Sequence, residues 1–265
     1  MVQLSSYRVR ARNLAPDSDN KIHDDDVAQQ FGFSGALVPG VELFAYLSHP
    51  LVEAWGTGFF DGGRLEARFR RPVYDGDELA AAAEPDDSGA FATTLTGPDG
   101  VVRAVGRAWP PDGSTMPRRD YPSMPVPAQL LPTGPESLPL GPLGSVEEPV
   151  TVERHDAYLD GIGETLPIYR DVGLVHPGAQ LRIVNELLMR NVALGPWIHT
   201  ASSCRFLAVP KLGSMLRAHG IVTEVFERNG HHYVRYDALV LSDDLPVMEA
   251  DHTAIYRLAS TAIAE

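Results

Sequence analysis

VPGVELFAYLSHPLVEAWG (38–56) and HPGAQLRIVNELLMRNVALG (176–195) decide the fold between them. Each begins with an apolar or aromatic residue, then ProGly, then a long apolar stretch. In the second, Leu181, Val184, Leu188 and Val192 fall at helical spacing, and Ile183, Leu187 and Met189 make other faces apolar too. A helix that is apolar nearly all round is a buried one. The first has the same character, but Pro50 stands inside it. That residue either kinks the helix or restarts it from its first turn.

The distances outward from these helices repeat. From Gly40 to Arg68-Phe69 is 28 residues, and from Gly178 to Arg205-Phe206 is 27. RFRRPVYDGD (68–77) and RFLAVPKLGS (205–214) then reach Gly76 and Gly213 after eight residues each. A fixed offset over three landmarks indicates duplication of one unit. Strand-like runs follow each helix: LEARFRRPV, ELAAAA, AFATTLTG and VVRAVGRAW in the first half; TASSCRFLAV, MLRAHGIVTEVFE, HHYVRYDALVL and PVMEADHTAIYRL in the second. They are separated by AspGly (75–76), ProAspGly (98–100) and AsnGly (229–230), which are hairpin residues. One buried helix wrapped by an antiparallel sheet, present twice, gives an α+β fold. Between the halves, residues 110–149 hold 11 of the 22 prolines. Proline excludes a regular helix or a central strand there. The expected division is therefore a repeat over 1–112, a Pro-rich crossover over 113–145 that carries no chemistry, and a repeat over 146–265. The two sheets are expected to pack edge to edge.

Composition excludes several functions. The chain of 265 residues carries 35 acidic and 22 basic side chains, a formal charge of -13. A nucleic-acid reader shows a basic surplus or stripe, so no nucleic-acid partner is expected. The single Cys204 excludes an internal disulfide and a multi-cysteine zinc site. The start MVQLSSYRVRAR lacks the apolar core of a signal peptide, and no apolar run approaches the ~20 residues of a membrane helix. These features read as cytoplasmic, with no membrane partner. G-x-S-x-G, H-E-x-x-H, Walker A and G-x-G-x-x-G runs are all absent from the sequence, so no metal and no cofactor are expected.

The stretch DSDNKIHDDDVAQQFGFSGALVPG (17–40) resembles the signature of MaoC-like, (R)-specific enoyl-thioester hydratases. Asn20, Ile22, His23, Asp25, Ala28, Gly32-Phe33 and Val38-x-Gly40 fall in the family's order. The resemblance implies a double hotdog fold and hydration or dehydration of an acyl thioester borne by coenzyme A or an acyl carrier protein. It implies a catalytic acid five residues before His23, where this chain has Ser18. Asp17 and Asp19 flank that position. The acid is either a displaced Asp19 or Asp17, or it is missing. Lys21 also replaces the family's proline.

The implied roles are His23 as base or acid, Asp19 with Ser18 as its displaced partner, Asn20 as orienter or loop former, and the Gly40 N–H as oxyanion donor. The second half has its own version of the motif, GETLPIY (163–169), with Glu164 in the acid's place and Tyr169 in the histidine's. Val38, Tyr169 and His176 are expected to line the substrate site. His199, His231, His232 and His252 read as surface or packing residues, and Cys204 as a small buried hydrophobe. A thioesterase, another acid–base reaction such as isomerisation or cyclisation, and a non-catalytic binding protein remain as alternatives. A homodimer also stays open.

Overall fold

The computed structural model describes residues 4–134 and 137–259. The first half runs β1 (Tyr7–Arg10), α1 (Asp25–Gln30), α2 (Gly40–Trp55), β2 (Arg64–Phe69), β3 (Glu78–Pro85), β4 (Phe91–Thr96) and β5 (Val102–Trp109). The crossover carries two short strands, β6 (Leu131–Pro132) and β7 (Gly141–Pro142). The second half runs β8 (Val146–Pro149), α3 (Val152–Ile162), α4 (Ile168–Asp171), α5 (Pro177–Met189), β9 (Val192–Ala193), β10 (Ile198–Phe206), β11 (Met215–Arg228), β12 (His231–Ser242) and β13 (Leu245–Arg257). Each of the eight strand-like runs read from the sequence overlaps one of these strands.

The strands order as β1-β3-β4-β5-β2-β10-β13-β12-β11, with β7 and β8 on the outer side of β11. The halves join where β2 and β10 pair antiparallel, from Arg64↔Arg205 to Arg68↔Ala201. One continuous sheet results. Neither β2 nor β10 is left as an open edge that would recruit a foreign strand.

The sheet wraps α2 and α5. Every residue of α2 from Val41 to Val52 is buried, as an all-round apolar pattern requires. The helix runs through Pro50 without a break. A proline inside a helix costs about 3 kcal/mol. Burial of Phe44, Leu47, Leu51 and Val52, at about 1.5–3 kcal/mol per large apolar side chain, outweighs that loss. No helix among the described residues is long and apolar enough to cross a membrane.

The crossover does more than span a distance. Glu249 on β13 is wholly buried. It accepts hydrogen bonds from the Arg118 backbone N–H (2.7 Å), the Tyr121 hydroxyl (3.1 Å) and Arg205 (2.7 Å). Arg119 pairs with Asp237 at 2.9 Å. The charged RRDY segment thus fastens the crossover to the second repeat's sheet.

Candidate active site

A cavity of about 860 Å³ opens at the seam between the repeats. Its walls include Asn20, His23, Val38 and Gly40 from the first repeat, and Asn185, Trp197, His199 and Ser202 from the second. Four of the residues singled out in the sequence therefore meet here. A smaller hollow of about 640 Å³, lined by Asn13, Asp24, Asp25 and Asp75, also reaches His23.

The chain around His23 is fixed by short-range bonds. Asn20 caps a single 3-10 turn, Lys21–His23. Its side chain also clamps the second repeat: Trp197 N–H donates to Oδ1 (3.1 Å), and Nδ2–H donates to the Trp197 carbonyl (3.0 Å). This pair of bonds assigns the amide orientation. The other Nδ2 hydrogen points at His23 Nε2, 3.2 Å away. His23 Nδ1 lies 2.7 Å from the Leu37 carbonyl. A carbonyl only accepts, so Nδ1 carries the proton and Nε2 holds the lone pair. Burial lowers the pKa of His23 to about 4, and the positive charge of Arg182 adds to the effect, against the Leu37 carbonyl. The ring is neutral at physiological pH and able to accept a proton.

Gly40 begins α2. Pro39 stands at the N-cap and contributes no side-chain hydrogen bond. The first N–H groups of a helix need partners from outside it and carry the positive end of its dipole. No side chain spends them here. A Cβ at Gly40 would stand 2.7 Å from His199 Nδ1 and 2.8 Å from Phe69 Cε2, so the bare backbone admits both rings.

The corresponding helix start in the second repeat is closed. His176 caps α5, its Nδ1 accepting from Gly178 N–H at 3.0 Å. Its Nε2 faces Glu164 Oε2 at 3.2 Å. Glu164 also takes the Thr165 and Leu166 N–H groups, both at 2.7 Å, and lies 2.8 Å from His49 Nδ1 of α2. Burial alone would raise this carboxyl, but hydrogen bonds from His176 and His49 outweigh it and hold it below the ordinary carboxylate range. Tyr169 is wholly buried, its ring 4.5 Å from that of His176.

Tyr169 and His176, expected in the substrate site, therefore line neither the cavity nor the hollow. They fill the interior where an open second site would lie. Asp19 is exposed, and Ser18 turns its hydroxyl to the Asn20 carbonyl at 3.2 Å. Neither lines the cavity, because the tight turn capped by Asn20 directs them outward.

Two readings change further. The crossover, expected to carry no chemistry, contributes Arg118 to the cavity wall. His199 and His252 are 5% and 0% exposed, and His199 lines the cavity. A packing role was one of the expectations for both. What the sequence did not mark is the facing of His199 onto the α2 start.

The duplicated helix-and-sheet unit, joined along one seam, has counterparts among solved structures. The fold is a double hotdog. A provisionally described MaoC domain protein dehydratase from Chloroflexus aurantiacus is 12% identical, with 98% of this chain and 97% of that one covered, at a TM-score of 0.61. A Mycobacterium tuberculosis protein described as having a double hotdog fold is 15% identical, with 96% of both chains covered, at 0.59. A provisionally described thioesterase from Novosphingobium aromaticivorans is 11% identical, with 84% of this chain and 89% of that one covered, at 0.51. No family model matches the chain, and no curated protein matches it in sequence. At such identities the likeness concerns the double hotdog fold alone.

Proposed function

We propose that the chain is an enzyme that adds water to, or removes it from, an acyl thioester, in the manner of the MaoC-like hydratases its motif resembles. The observation that carries this is the uncapped start of α2 in the same cavity wall as the Nε2 lone pair of His23. In hydration, a water proton passes to Nε2 as the water oxygen bonds to C3 of the enoyl group. Asn20 yields that lone pair to the water. The displaced π electrons load the thioester oxygen, which meets the Gly40 N–H. The imidazolium then returns its proton to C2, and the thioester is left intact.

The cavity wall also carries Arg68, Arg70, Arg71 and Arg228, none with an ion-pair partner among the described residues. In a chain of charge -13 that concentration suits the phosphates of coenzyme A. The test is a panel of crotonyl and longer enoyl thioesters, followed for both enoyl absorbance and thiol release. Enoyl loss without thiol, abolished by His23→Ala, is the expected result. Unchanged enoyl thioester with no thiol release across the panel would overturn the reading.

A second reading, thioester hydrolysis, is favoured by Asp251, which lines the same cavity and whose carboxyl is pushed up by burial and by Asp237. Thiol release that disappears in Asp251→Asn would establish it in place of the first.

A further inference from the structure

β10 should alternate its side chains between the two faces of the sheet. A register shift against β13, between His199 and Ala201, breaks the alternation. Such a bulge re-aims side chains. His199 and Ser202, three positions apart, both become buried. Ser202 stands opposite His252 on β13. Its Oγ lies 2.8 Å from His199 Nε2 and 2.9 Å from His252 Nδ1, and the two imidazoles stack with centroids 4.0 Å apart. This row of three ends at two buried nitrogens that have no hydrogen-bond partner among the described residues, His252 Nε2 and, at the cavity, His199 Nδ1. That nitrogen lies against Gly40, at the uncapped start of α2. The clamp from Asn20 to Trp197 holds the strand two residues upstream. A polar atom left unmatched in a buried place is costly, and this one stands where an acyl oxygen would meet the helix.

We propose that His199 is a second substrate-touching residue of the cavity, its Nδ1–H donating to the thioester oxygen beside the Gly40 N–H while Ser202 and His252 hold the tautomer. The inference rests on the acyl-thioester reading of this cavity. The Ser202 hydroxyl has one proton. It donates to His199 Nε2 and accepts from His252 Nδ1–H, and this arrangement leaves the His199 proton on Nδ1. All three groups are neutral and stay so: no proton changes owner and His199 forms no covalent bond. Burial lowers His199 to about 3 and drives His252 well down as well. A charged imidazole would be repelled by the helix start, whereas a neutral one is not. Neutral imidazoles do polarise carbonyls in enzymes. The second repeat thereby supplies, across the seam, a polar group to a motif whose own partner position holds Ser18.

The test compares crotonyl-CoA turnover by the wild type, His199→Phe, His199→Asn and Ser202→Ala. Phenylalanine keeps the ring and loses the donor, whereas asparagine keeps an N–H near Nδ1. His199→Phe should lower kcat about 10²–10³-fold with KM nearly unchanged. His199→Asn should recover at least about tenfold of that loss, and Ser202→Ala should fall between. In ¹⁵N-histidine spectra of the wild type, the crotonyl-CoA analogue with methylene in place of sulfur should shift the His199 Nδ1 resonance. Should His199→Phe fail to fold, Ser202→Ala and this spectrum decide. Turnover by His199→Phe close to that of the wild type, asparagine no better than phenylalanine, or an unmoved Nδ1 resonance with analogue bound overturns the proposal. A wild type that neither turns over nor binds any enoyl thioester overturns the acyl-thioester reading itself, and this inference with it.

Discussion

Alanine placed at the two matched glycines, Gly40 and Gly178, should separate chemistry from packing. At Gly40 the new Cβ stands 2.7 Å from His199 Nδ1, 2.8 Å from Phe69 Cε2 and 3.0 Å from His199 Cγ. Carbon contacts are comfortable at about 3.5–4.0 Å, so both rings must retreat by about 0.5–1 Å. Overpacking costs about 1–3 kcal/mol, and alanine returns about 0.5–1 kcal/mol as the better helix residue. Gly40→Ala should therefore lose about 0.5–2 kcal/mol of stability. A misplacement near 1 Å at a reacting group costs about 10²-fold, and turnover should fall by that order. At Gly178 the Cβ meets Ala45 Cβ at 2.7 Å and the Val41 carbonyl oxygen at 3.1 Å. The Ala45 methyl and a backbone oxygen cannot rotate aside, so α2 and α5 must part. Gly178→Ala should lose about 3 kcal/mol, with a smaller loss of turnover per folded molecule. Denaturant midpoints and enoyl-thioester hydration at one temperature measure both quantities. If Gly178→Ala proves the more damaging to turnover per folded molecule, or if Gly40→Ala alters neither quantity, the assignment of the open and closed helix starts is wrong.

The pH profile should report His23. Its folded pKa of about 4 lies below the ordinary value near ~6.5, so protonation favours the unfolded state, and the neutral ring is lost only as pH falls through the lower value. The acid limb of kcat/KM should break near pH 4, and a limb at the ordinary value would show a solvated ring. Glu249→Ala removes the shared partner of Arg118, Tyr121 and Arg205; the denaturant midpoint should fall by an amount equivalent to about 3 kcal/mol, and a wild-type midpoint would refute the fastening of the crossover. Cys204 is 1% exposed and burial pushes its thiol up, so a thiol reagent should leave the native protein unlabelled and label one site per chain in denaturant.

The helices were readable because their pattern is intrinsic. Apolar residues on every face between Gly40 and Trp55 can only be buried, and packing on all sides carried the helix over Pro50. The turn residues marked the strands for a similar local reason. His199 was not readable, because its facing depends on a bulge set by pairing with β13, and alternation along β10 alone gives no such signal. The closure of the second helix start was equally hidden. It depends on Glu164 and His176, twelve residues apart in one repeat, and on His49, which reaches Glu164 only when the halves pack. The crossover offered a signal that proline content masked: RRDY (118–121) is charged, and its arginines and tyrosine find buried or half-buried carboxylates.

The closed start of α5 bears on stoichiometry. A duplicated chain in which one copy's helix terminus is occupied by its own histidine has a single vacancy to offer. Ligand titration should saturate at one equivalent per chain along a plain hyperbola, since the second helix start, capped by His176, offers no sister site among the described residues. Apart from His199 and the Ser202–His252 pair behind it, the second copy is then released from chemical duty. Its residues answer to the shape of the first copy's cavity, and substitutions there can retune what enters without disturbing the histidine across the seam.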